Sequence, residues 1–269
     1  MQVTLTKHQA LGNDFLVYDL RQGRPATGWD DLARRWCDRR FGIGADGLLL
    51  LENHGEQHLA MVLYNADGSR AEISGNGIRC LVQAAHATDG RPADVTYVVS
   101  TDAGVKRVEV VSDDGDGTVH ASVSMGLVGD LPVPDNWESL GCHPDRPVAH
   151  LSLGNPHSVV GVDDVEVVAL RELGEKVPHV NLEIVAPGPE NDAITMRVHE
   201  RGAGITLACG SGACAAAYAA LSWGLVPSSI NEVTVHMPGG DARVRVDRAT
   251  REAVLVGPSC FVATVTVEA

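Results

Sequence analysis

Positive charge is scarce in this 269-residue chain. It carries 21 Lys and Arg against 35 Asp and Glu, a formal net charge of −14, and only three lysines: Lys7, Lys106 and Lys176. That balance disfavours nucleic acid or an anionic membrane as a partner. No run of 18 apolar residues occurs, so no transmembrane helix is expected. The first eight residues, Met1 to His8, lack the apolar stretch of a signal peptide and alternate in polarity like a strand. A cytoplasmic location is the default expectation. The six cysteines form no C-x-x-C pair, which argues against a disulfide framework or a zinc site. His199-Glu200 lacks the second histidine of a zinc protease helix. The aspartates between Ser112 and Gly117 lack the ligand spacing of a calcium loop. No metal is therefore expected. None of the lysines stands in a recognisable phosphate cup, so a pyridoxal cofactor is not expected either.

What is present suits a globular protein of two modest domains: 44 % of the residues are hydrophobic. Period-2 alternation dominates. Lys106–Ser112 and Thr118–Met125, joined by a turn rich in Asp and Gly, predict a hairpin. Glu232–Met237 and Ala242–Asp247 predict a second. Ala253–Val256 and Phe261–Val267 read as two terminal strands, with further strands at Val148–Leu153, Val159–Val162 and Ala193–Val198. Helices are predicted at Asp30–Arg40, Ile78–Thr88, Val168–Lys176 and Ala213–Leu225. The pattern is α+β with many antiparallel strands.

An internal repeat organises these elements. Ser74-Gly75-Asn76-Gly77 in one half matches Cys209-Gly210-Ser211-Gly212 in the other. Each follows a polar segment containing glycine (Asn65–Ser69, Glu200–Gly204) and each precedes an apolar helix. The first half is expected to span residues 1–120 and to recruit the final strand, about 261–269; the second spans 121–260. A Gly-rich turn that opens a helix presents free N–H groups and the positive end of the helix dipole, a ready anion site. A thiol at such a turn is expected to have a lowered pKa, which separates Cys209 from the other cysteines as a general base. Two opposed turns could grip one carboxylate, stabilise an enolate-like carbanion, and supply an acid and a base on opposite faces of the carbon.

These residues resemble the diaminopimelate epimerase family over nearly the whole chain. The matching segments are Gly12-Asn13-Asp14-Phe15, Gly42-Ile43-Gly44-Ala45-Asp46-Gly47, Asn65–Ser69, Gly75-Asn76-Gly77, Gly154-Asn155-Pro156-His157, Val180-Asn181, Glu200-Arg201-Gly202 and Ala208–Gly212. The resemblance implies two pseudo-symmetric β-rich domains, each wrapped around a central helix. It implies a cofactor-independent, two-base epimerisation of LL-diaminopimelate to the meso form, serving lysine and peptidoglycan synthesis, in a homodimer. By position, Cys209 is one proton-transfer thiol, and Glu200 and His157 assist proton movement. Asn13, Asn65, Asn155, Asn181 and Arg201 would bind the polar ends of the substrate. Gly75-Asn76 and Gly210-Ser211 would hold the reacting carboxylate. Gly42-x-Gly44-x-x-Gly47 is not a dinucleotide fingerprint, because a helix precedes it and an apolar run follows it.

Two positions depart from the family pattern. Ile205 stands where a glutamate is usual, and Ser74 where the second cysteine is expected. Serine is a far weaker acid than cysteine, whose unperturbed pKa is about 8.5, so Ser74 is a poor lone base. Cys80 cannot replace it, lying about 9 Å further along a helix at 1.5 Å per residue. Several readings follow. Ser74 acts as proton donor or relay, through His157 or water. Alternatively it is an inactivating replacement, or the reaction has shifted to a racemase, one-base isomerase or dehydratase of another amino acid. A non-catalytic amino-acid-binding homologue is the remaining class, disfavoured by retention of Cys209, Glu200 and His157.

Overall fold

The computed structural model describes residues 2–90 and 93–268. The chain divides into two compact units, Met1–Val123 with Gly257–Ala269, and Ser124–Val256.

The first unit begins with β1 (Gln2–Ala10), antiparallel to β2 (Asn13–Asp19). Helix α1 (Trp29–Cys37) carries the chain to β3 (Gly47–Asn53), which runs parallel to β2 with Phe15 opposite Gly47. Strand β4 (His58–Asn65) folds back on β3 and pairs with the two-residue β5 (Arg70–Ala71). Helix α2 (Gly75–Asp89) then crosses to β6 (Val95–Thr101), parallel to β4 and antiparallel to β7 (Gly104–Asp113), which is followed by β8 (Thr118–Leu127). Almost every residue of α2 from Asn76 to His86 is buried.

The second unit repeats this order. After the short β9 (Gly129–Asp130) come β10 (Val148–Ser152) and β11 (Pro156–Gly161), an antiparallel pair. Helix α3 (Leu170–Lys176) leads to β12 (Asn181–Pro187), parallel to β11 with His157 opposite Asn181. Strand β13 (Ala193–Glu200) pairs with β12 and with β14 (Gly204–Thr206). Helix α4 (Gly210–Trp223) crosses to β15 (Glu232–Met237), parallel to β13, and β16 (Gly240–Val246) and β17 (Glu252–Glu268) follow. Helix α4 is alanine-rich and buried on nearly all sides, as a helix at the centre of a unit must be.

The registers fix the residue equivalence between the units. Phe15 on β2 corresponds to His157 on β11, Gly47 to Asn181, and Leu49 two residues on to Glu183. Asn65 at the end of β4 corresponds to Glu200 at the end of β13, and each lies nine residues before its helix cap, Ser74 or Cys209.

Several boundaries differ from the sequence reading. The two terminal strands expected at 253–256 and 261–267 are one continuous strand, β17. Its C-terminal part pairs with β1 from Gln9–Cys260 to Gln2–Glu268. Pro258, the apparent break, is accommodated because Pro lacks only the N–H and keeps an extended φ. Helix α1 stops at Cys37 rather than Arg40, since the Asp38 carboxylate accepts the N–H groups of Arg40 and Phe41 and turns the chain. Helices α2 and α4 start three residues earlier than predicted, at Gly75 and Gly210. Their first-turn glycines are helical because the preceding residue caps them.

Candidate active site

The two caps have nearly the same backbone. Ser74 has φ −133 and ψ 126, and its hydroxyl accepts the Gly77 N–H at 3.0 Å. Cys209 has φ −130 and ψ 117, and its sulfur accepts the Gly212 N–H at 3.4 Å. Each side chain therefore sits against the first-turn N–H groups of a buried helix. An added side chain would crowd both turns, more tightly at Gly212 than at Gly77. A methyl group at Gly77 would stand 3.1 Å from Ser74 Cβ and 3.4 Å from Phe15 Cζ. At Gly212 it would stand 2.7 Å from Glu183 Oε1 and 3.3 Å from Cys209 Sγ.

The surroundings of the two caps differ. Around Ser74, Asn76 donates to Asn13 Oδ1 at 3.3 Å and its own oxygen accepts from Arg79 at 2.8 Å. Arg79 is wholly buried and also donates to the carbonyl of Gly75 at 3.1 Å. Asn13 in turn donates to Asp46 at 2.7 Å. Behind it, Asp14 lies 2.8 Å from Lys7 and 2.6 Å from Arg39. Burial pushes the Asp14 carboxyl up, but hydrogen bonds from Arg39 and Lys7 outweigh it, and the group stays below the usual carboxylate range. Asn65 is exposed and donates to Ser69 Oγ at 3.0 Å.

Around Cys209 the groups are titratable. His157 is wholly buried, with Nδ1 2.6 Å from Glu183 Oε1 and Nε2 2.9 Å from Asn155 Oδ1. Asn155 donates to Ser211 Oγ at 3.3 Å, and that hydroxyl lies 3.6 Å from Cys209 Sγ. Glu200 accepts from the hydroxyl of Thr206 at 2.5 Å. Asn181 braces the backbone: it donates one N–H to the Pro156 carbonyl at 3.1 Å and accepts the Arg201 N–H at 2.8 Å. It holds the turn that carries Arg201, whose side chain is exposed. Ile205, the other departure from the family pattern, packs against the apolar cluster of Val160, Leu170, Leu182 and Ile184. Its neighbour Thr206 supplies the polar contact to Glu200.

The expectation of a lowered pKa at Cys209 is overturned. Burial pushes this thiol well above the ordinary cysteine range, and the negative charge of Glu200 pushes it the same way, as Glu183 does when ionised. The Gly212 N–H and the Ser211 hydroxyl pull it down, but less. The helix N-terminus lowers a thiol that water can reach; here desolvation and the neighbouring negative charge win. Cys209 is a thiol at neutral pH. Two other cysteines are more ordinary: burial pushes Cys37 and Cys80 up to about 12, as expected of buried packing thiols. Both ring nitrogens of His157 are engaged, by Glu183 and by Asn155.

Sequence reasoning missed Glu183. Its signal was one acidic residue in the otherwise apolar run Leu182-Glu183-Ile184-Val185-Ala186, every member of which is buried. Among the described residues, no group of three or more His, Cys, Asp or Glu side chains is placed to hold a metal ion, and no helix is long and apolar enough to cross a membrane.

Two β-rich halves with a capped central helix in each are the architecture that the sequence resemblance implies for an epimerase. The family model for diaminopimelate epimerase matches residues 5–128 and 150–262. The diaminopimelate epimerase of Thermosynechococcus vestitus is 39 % identical, over 97 % of this chain and 98 % of its own length. That of Acaryochloris marina is 34 % identical over 96 % of both chains. Among solved structures, a hydroxyproline epimerase from Agrobacterium vitis with bound trans-4-hydroxy-L-proline has a TM-score of 0.68 at 15 % identity, covering 99 % of this chain and 91 % of that one. A phenazine biosynthesis protein from Bacillus anthracis has a TM-score of 0.73 at 13 % identity, over the full length of both. The two structural likenesses speak for the fold. The family model and the sequence relatives go further: the chain belongs to the diaminopimelate epimerase family and is an isomerase.

Proposed function

We propose that this enzyme interconverts LL- and meso-diaminopimelate by moving the α-proton between two groups, Cys209 and Ser74. The observation that carries the reading is that these two residues are the paired caps of the repeat, each with its side chain held by the third N–H of a buried helix. The relatives named above act on that substrate by name.

The resting state of Cys209 sets the order of events. As a thiol it is ready to donate, and delivers its proton to the carbanion in one direction. In the other direction it must first lose that proton. Glu200, whose charge is felt at the sulfur, takes the proton as the sulfur takes the one on the α-carbon. The thiol is restored and one proton has moved onto the carboxylate. Ser74 acts without forming an alkoxide: its hydroxyl gives one proton to the carbon while it receives another from water, and the hydroxide left behind is neutralised through solvent by the proton that Glu200 took up. The reverse direction runs the same steps backwards. The N–H groups at the starts of α2 and α4 stabilise the negative charge that builds on the carboxylate, with Asn76 and Ser211 beside them. Asn13, Asn65, Asn155 and Arg201 would bind the polar ends, while Asn181 keeps the Arg201 turn in place. On this reading the enzyme needs no cofactor and works as a cytoplasmic homodimer in lysine and peptidoglycan-precursor synthesis.

The test is epimerisation of LL-diaminopimelate in deuterium oxide by this protein and by Ser74→Cys. Turnover with label at the α-carbon in the unaltered protein supports a thiol–hydroxyl pair. Turnover in Ser74→Cys alone makes the serine an inactivating replacement. Turnover in neither removes diaminopimelate as the substrate.

A further inference from the structure

Glu183 is a costly residue with no counterpart in the first unit. Its side chain is wholly inside the protein, its Oε2 has no hydrogen-bond partner, and the equivalent position of the repeat is a leucine, Leu49. The fold thus accepts an apolar residue here. An ionised carboxylate in this place would leave one oxygen unsolvated and unpaired, which buried charges rarely are. The titratable groups facing it are His157, Glu200 and Cys209. None of them is a fixed cation.

The hydrogen bonds around His157, with the bare Oε2 of Glu183, point to where the proton lies. Nε2 faces the carbonyl oxygen of Asn155, because the amide nitrogen of Asn155 is directed to Ser211. An oxygen can only accept, so Nε2 carries the hydrogen. An imidazolium would donate from Nδ1 as well and leave Glu183 ionised with Oε2 unpaired. With a neutral ring Nδ1 is bare, and the atom 2.6 Å from it, Glu183 Oε1, is the donor.

We propose that Glu183 is a positioning residue held as the neutral carboxylic acid, donating its O–H to Nδ1 of His157 and so locking the ring, Asn155 and Ser211 in place beside the thiol of Cys209. The carboxyl also lies directly under the Cys209 turn, against Gly212, so it supports the cap from beneath. The link to turnover rests on the function proposed above; the protonation state does not.

Two substitutions and one spectrum test it. At neutral pH, the infrared difference between the unaltered protein and Glu183→Gln is expected to contain the carbonyl stretch of one protonated carboxyl group. An ionised-carboxylate signature in its place would overturn the proposal, whatever the enzyme's substrate. Glu183→Gln can still donate to Nδ1 and is expected to keep kcat within about threefold, whereas Glu183→Leu is expected to lose roughly 10²-fold, the effect of a small misplacement of reacting groups. The midpoint of urea unfolding of Glu183→Leu should equal or exceed that of the unaltered protein. A Glu183→Leu enzyme of full activity, or a Glu183→Gln enzyme as impaired as the leucine variant, would refute the positioning role. Should Glu183→Leu fail to fold, the spectrum and Glu183→Gln still decide.

Discussion

The Ser74 turn and the Cys209 turn share backbone, cap geometry and helix, yet the chemistry beneath them has diverged completely. Under Ser74 the repeat supplies Phe15, Leu49 and Asn65. Under Cys209 the same three places hold His157, Glu183 and Glu200. One half presents a hydroxyl above side chains that do not titrate; the other a thiol among two carboxyl groups and an imidazole. Backbone symmetry therefore does not carry over to proton chemistry. The scaffold needs a small capping atom at each turn, which oxygen and sulfur both provide, while the titratable partners sit on strands where the fold tolerates either character. On the function proposed above, the second half is the one that stores and releases protons.

The largest effect should come from removing the thiol. Cys209→Ala is expected to cut α-deuterium incorporation by about 10³-fold, within the range for loss of a general acid–base group. A loss of similar size from Ser74→Ala would make the halves equal partners. The asymmetry instead predicts a smaller loss, about 10²-fold, and wild-type activity in Ser74→Ala would end any role for the hydroxyl.

Next is the titration of the thiol. Alkylation of Cys209 by iodoacetamide, followed by mass spectrometry of the labelled peptide, should begin at clearly higher pH than for free cysteine. Glu200→Gln removes one of the negative charges acting on the sulfur, so its profile should move to lower pH. An unmoved profile would mean that burial alone holds the thiol protonated.

The glycines sharpen the comparison in stability. Gly212→Ala drives a methyl group into Glu183 Oε1 and the sulfur, both backed by buried structure, and should cost about 1–3 kcal/mol in denaturant unfolding. Gly77→Ala meets looser contacts and should cost less. Equal costs would show that the carboxylate under the second turn moves aside freely. The smallest effect concerns acid. Asp14 stays ionised to lower pH in the folded chain than in the unfolded one, so its stabilising share is present above an unfolded pKa of about 3.9. It is lost as pH falls through the lower folded value. Acid unfolding of Asp14→Asn should lack this part of the pH dependence.

Much of the framework was legible in residue order. Gly-x-Gly after a small capping residue announced both helix starts, and alternation announced both hairpins, because these are local rules of φ, hydrogen bonding and side-chain direction. The continuity of β17 was hidden by Pro258, which reads as a break in isolation and is harmless where the fold keeps it extended. Asn181 read as a substrate ligand because asparagine offers donors and an acceptor; only the fold reveals that it also braces the backbone of Pro156 and Arg201. Ile205 gained its account only from the apolar cluster it joins.

The sequence by itself determined the repeat, the residue at each helix cap and the family, since these follow from residue type and spacing along the chain. The tertiary structure alone decided the state of the caps. Glu183 meets His157 from 26 residues away, and the charge of Glu200 reaches Cys209 from the end of β13. Desolvation and through-space charge depend on what surrounds a group, not on what precedes it, so a thiol that looked acidic from its turn is held protonated by its neighbours.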